Sequence, residues 1–116
     1  MSSTEIRNAR ISRTTLGVED HGIFTAWLQL DYGIAAQAFG GFALDDRPER
    51  AVGAHRRGTA YGCNYILGIL RTLEVGSWEQ IPGTYCRAEI VDGLVRRIGH
   101  PLKDQWFDPA TLEGAQ

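Results

Sequence analysis

The chain has 116 residues, 43% hydrophobic and 22% charged, with a formal net charge of −2. That length fits one domain with a modest core, and the composition is that of an ordinary globular protein. The negative balance argues against bulk nucleic-acid binding through a broad basic face. No apolar run approaches the ~20 residues of a membrane helix, and the opening MSSTE carries no charged-then-apolar leader, so a cytoplasmic location and no membrane partner are expected.

Residues 5–16 read as a first strand or edge segment with Ile11 and Leu16 as its apolar points, and GVEDHG, Gly17 to Gly22, reads as a turn. From Ile23 to Tyr32 the chain alternates: Phe24, Ala26, Leu28, Leu30 and Tyr32 fall on one face, Thr25, Gln29 and Asp31 on the other. That is the period of a half-buried strand. Gly33 permits a turn back into Ala35–Leu44 and an antiparallel hairpin. The return strand holds a glycine pair, Gly40-Gly41, between Phe39 and Phe42. Glycine weakens a strand, so the pair marks either a bulge or a place where a ligand or neighbouring chain meets bare backbone.

Asp45 to Gly58 is polar, charged and proline-containing, a long surface loop. Thr59 to Gly76 then spaces Tyr61, Tyr65, Ile66, Ile69, Leu70 and Leu73 as a helix does, with Thr59 as N-cap and Gly76 as the closing glycine. SWEQ, Ser77 to Gln80, has the form of a capping box opening a short second helix. Pro82-Gly83 fits a type II turn. Asp92-Gly93 between TYCRAEIV and LVRRIGH is a hairpin signal. A two-residue loop pairs Ile90 with Val95, Glu89 with Arg96 and Ala88 with Arg97. Pro101 should end the last long strand, and residues 110–116 read as a frayed tail. The expected fold is α+β: a single domain over residues 1–116, with an antiparallel β-sheet, one main α-helix and a short second helix.

Several groups are chemically suggestive. Eleven of the twelve basic residues are Arg, with Lys103 the exception, and Arg suits bidentate anion recognition. Ideal pairing puts Arg97 on an apolar face, where it needs an anion, unless a bulge re-aims the chain. Arg56-Arg57-Gly58-Thr59 opens the helix, whose free N–H groups suit phosphate; a solvated loop with a routine cap is the plain alternative. Trp27, on the polar side of its strand, suits stacking or a subunit contact. Asp45-Asp46 and Glu19-Asp20 read as solvated doublets. His21, His55 and His100 are scattered, and Cys63 and Cys86 form no CxxC, so neither a metal site nor a disulfide is expected. No motif signals catalysis.

The phrases EDHGIFTAWLQLDYG, QAFGGFALDD, SWEQIPGTYCR and IGHPLKDQWFDP, in this order around a glycine-dotted helix, resemble a family of small phage proteins. It is the first-described Thoeris anti-defence family, the sponges that sequester host nucleotide signals. The resemblance spans roughly residues 7–109. It implies a non-enzymatic protein in the cytoplasm of an infected bacterium. It would bind glycocyclic ADP-ribose, or in some members cyclic oligonucleotides, as a homodimer or higher homo-oligomer and with no cofactor. Two positions depart from the family pattern: Phe42 stands where Tyr is frequent and Pro101 where Phe is frequent. Motif position and chemistry together put the ligand at Phe39, Gly40, Gly41, Arg57 and Thr59. Ser77, Trp78, Arg96, Arg97 and His100 complete the expected set. The alternative function is a phage inhibitor that binds a host defence nuclease; a small phosphodiesterase ranks below both.

Overall fold

The computed structural model describes residues 3–47 and 56–115. It is an α+β fold with a six-stranded antiparallel sheet, a second small sheet, one main helix and short 3-10 turns. The large sheet contains β1 (Thr4–Val18), β2 (Phe24–Tyr32) and β3 (Ala35–Gly40), then β6 (Tyr85–Val91), β7 (Leu94–Gly99) and β8 (Trp106–Phe107). Its order is β3-β2-β1-β6-β7-β8. The first strand is therefore central, not an edge. Its beginning pairs with β6, from Thr4 opposite Val91 to Arg10 opposite Tyr85. Its end pairs with β2, from Arg10 opposite Asp31 to Val18 opposite Phe24, with a register shift between Ile11 and Arg13.

Directly paired residues share a face, so one side collects Ile11, Leu28, Leu30, Phe39, Cys86, Ala88, Ile98 and Phe107, all buried. Helix α1 (Ala60–Leu73) lies on that side and presses Tyr65 edge-on against Phe107 at 4.9 Å between ring centroids. The sheet also curls over this core. Gln37 of β3 donates from Nε2 to the Gly93 carbonyl at 3.0 Å and accepts from the Val95 amide at 2.7 Å. Its side chain thereby clasps two strands that three others separate in the sheet order.

The helix starts as expected, since Thr59 accepts from the Gly62 amide. It ends at Leu73, three residues before Gly76. Glu74 itself takes the left-handed conformation, at φ 57° and ψ 43°, and the amide of Val75 returns to the Leu70 carbonyl. Lys103 holds the Glu74 carboxylate at 2.7 Å, an anchor that lies 29 residues away in sequence. The second helix is a single 3-10 turn, Trp78–Gln80, and Gln80 reaches back to the amides of Gly76 and Ser77.

The Asp92-Gly93 loop is a two-residue turn with φ 51° and 85°. A bulge follows, so Ile90 still faces Val95 but Glu89 faces Arg97, not Arg96. That shift removes Arg97 from the apolar face and leaves Arg96 exposed. Within the expected loop, Asp45–Asp46 (β4) pairs with Arg57–Gly58 (β5). The positions between Arg47 and Arg56, including His55, lie outside the described residues.

Candidate functional site

The start of α1 is fixed against the chain that leaves β3. Thr59 donates its hydroxyl to the Leu44 carbonyl at 2.9 Å while capping the helix. Gly62 lets the two backbones touch, because a Cβ there would stand 2.0 Å from the Leu44 carbonyl oxygen. Beside this contact opens a cavity of about 480 Å³. Phe42, Ala43, Asp45 and Asp46 line one side, Thr59, Ala60, Tyr61 and Asn64 the helix side, and Glu113 and Gly114 close it from the C-terminal segment. A smaller cavity of about 220 Å³ shares Phe42 and Tyr61 and adds Val95, Arg96 and Asp108.

The walls combine two aromatic rings, an amide and three carboxylates. Phe42 is 44% exposed, so its face is available, and its ring lies 5.9 Å from that of buried Tyr65. Helix amides one to three have no intrahelical acceptor; Thr59 meets that of Gly62, which leaves those of Ala60 and Tyr61. The doublet Asp45-Asp46, expected to be solvated, is paired. Arg56 reaches Asp45 at 2.9 Å and Arg57 reaches Asp46 at 3.0 Å. The Arg56 hydrogen bond holds the Asp45 carboxyl below its ordinary range. Burial pushes the Tyr61 phenol up and the Tyr65 phenol further.

Of the expected ligand residues, Thr59 lines the larger cavity, Arg57 is paired to one of its carboxylates, and Arg96 lines the smaller one. The others line neither cavity. Phe39 is a core residue packed edge-on to Phe107. A Cβ on Gly40 would sit 2.2 Å from the Ala26 carbonyl oxygen, and one on Gly41 would sit 2.2 Å from the Trp27 indole. The protein's own second strand thus lies against the bare backbone of the glycine pair. Ser77 caps the 3-10 turn and Trp78 opens it, with the Trp78 indole N–H buried and without a hydrogen-bond partner among the described residues. Arg97 bonds Glu89 at 2.6 Å and lies 4.3 Å from the Trp106 ring centre. His100 accepts two amides, from Leu102 and Lys103, at Nδ1, and its Nε2 faces Glu74 at 3.5 Å. With Nδ1 accepting, the ring proton sits on Nε2.

Sequence reasoning did not single out Tyr61, Asn64 or Glu113 as site residues. Tyr61 reads as core from its helical spacing, Asn64 carries no motif, and Glu113 falls in the stretch read as a tail. Among the described residues no group of three or more His, Cys, Asp or Glu gathers closely enough to hold a metal ion. The cysteines are free, with Cys63 exposed and Cys86 buried. No helix of the described residues is long and apolar enough to cross a membrane. Comparison with known protein families, curated proteins and solved structures finds no match.

Proposed function

We propose that this protein binds a nucleotide-type signal molecule and holds it intact, as the resemblance to the Thoeris anti-defence sponges implies. The observation that carries the reading is the cavity between Phe42 and the first turn of α1. Its volume lies within the ~300–1,000 Å³ range of small-molecule sites. A base stacks between Phe42 and Tyr61, and the Asn64 amide reads its edge. Ribose hydroxyls donate to the carboxylates of Asp46 and Glu113. Carboxylates repel phosphate, so the diphosphate lies at the rim. There Arg57 exchanges Asp46 for a phosphate oxygen, and the amides of Ala60 and Tyr61 add the positive end of the helix.

Titration calorimetry with a cyclic ADP-ribose derivative tests this. Base–aromatic stacking is worth ~1–3 kcal/mol, so Phe42→Ala or Tyr61→Ala should weaken binding by roughly tenfold or more. Equal affinity in the wild type and both variants would remove the ligand from the cavity. A stable complex with a host nuclease, with no heat of binding for any nucleotide, would favour the protein-inhibitor reading instead.

A further inference from the structure

The large sheet has a second face, turned away from α1. Its pairs alternate with the core pairs: Asn8 with Arg87, Arg10 with Tyr85 and with Asp31, and Arg13 with Gln29. Tyr85 is 60% exposed, and Asn8, Arg10 and Arg13 are exposed beside it. Among the described residues, neither Arg10 nor Arg13 has a carboxylate within 4.0 Å. Arg87 donates to the carbonyls of His100 and Lys103 and lies 4.8 Å from the Trp106 ring centre, with no carboxylate within 4.0 Å among the described residues. Glu89, on the same face, is neutralised by Arg97. Arg10, Arg13 and Arg87 therefore stand against Asp31, and against Asp104 where it bonds the Trp106 indole at the edge, on one face of a chain whose net charge is −2.

We propose that this face binds a short single strand of nucleic acid, with Tyr85 stacking a base and Arg10 and Arg13 contacting phosphates. An exposed ring flanked by arginines on an open antiparallel sheet presents what an unpaired strand offers a partner for, a π-face and regular negative charge. A second copy of the chain is a poorer occupant, because the face would meet its own arginines. A duplex keeps its bases stacked out of the tyrosine's reach. The overall negative charge disfavours a broad duplex footprint but leaves room for a small one. This site is separate from the cavity and does not depend on it.

The test is fluorescence anisotropy of a fluorescein-labelled oligouridylate twelve-mer with the full chain at low salt. Binding should weaken as salt rises, because counterions are released. It should fall about tenfold in Tyr85→Ala, persist in Tyr85→Phe, and lose part of its salt dependence in Arg10→Ala/Arg13→Ala. Phe42→Ala should leave it unchanged, which separates the two sites. No anisotropy change at about 0.1 mM protein, the weak end of non-specific binding, would overturn the proposal without reference to any variant. So would equal binding of polyglutamate, which marks an acidic protein partner, or a Tyr85-dependent dimer in sedimentation, which marks a second copy.

Discussion

Gly62→Ala sets two physical effects against each other. Inside a helix, alanine is better than glycine by ~1 kcal/mol, so propensity alone predicts a gain in stability. The contact predicts a loss. A Cβ would stand 2.0 Å from the Leu44 carbonyl oxygen, 2.8 Å from its carbon and 2.9 Å from the Leu44 Cβ. That carbonyl cannot simply retreat, because it accepts the Thr59 hydroxyl, and Thr59 also caps the helix. Overpacking costs typically ~1–3 kcal/mol, and a strained cap adds ~1 kcal/mol. After the propensity gain, the net loss is roughly 1–3 kcal/mol. Urea unfolding followed by tryptophan fluorescence should show the midpoint falling by about 1 M. Gly17→Ala is the control: a Cβ there meets nothing within 4 Å, so its midpoint should hold or rise. A Gly62→Ala midpoint equal to or above the wild type would refute the account of how α1 is seated beside the cavity.

Arg97→Ala removes a partly buried ion pair with Glu89 and a stack on Trp106. Stability should drop by ~1–2 kcal/mol, while nucleotide affinity stays unchanged in titration calorimetry. Asp45 has a depressed folded-state pKa, so its pairing with Arg56 stabilises the fold above the ordinary carboxyl value of 3.8 and loses effect as pH falls through the lower folded value. Asp45→Asn should therefore be less stable than the wild type near neutrality, and the thermal melts should begin to draw together as pH falls below about 4 and meet only below the lowered folded value. Cys63 is exposed, whereas burial pushes the Cys86 thiol up to about 12. Ellman's reagent should label one cysteine in the native protein and both in denaturant.

Local signals were legible where local forces decide. The alternation of Phe24–Tyr32, the Thr59 cap and the Asp92-Gly93 turn all appear as expected, because each depends on residues a few positions apart. Long-range anchors were not legible. Glu74 closes α1 in a left-handed conformation while Lys103 holds its carboxylate. The bulge between Glu89 and Ile90 re-aims both arginines, and ideal pairing cannot anticipate an extra residue. The site follows the same division. Thr59 was visible as a cap, but Asn64 and Glu113 meet only because the C-terminal segment folds back over the helix start. The pair Gly40-Gly41 does mark a close approach to bare backbone, and what approaches is the Ala26 carbonyl and the Trp27 indole.

The central claim is that a nucleotide-type signal is held without being cleaved. Incubation of the protein with a cyclic ADP-ribose derivative, removal of free ligand, heat denaturation and mass spectrometry of the released material test it directly. Recovery of the intact ligand at a stoichiometric amount is the predicted result. A hydrolysed product, or no nucleotide in the released fraction, would contradict it.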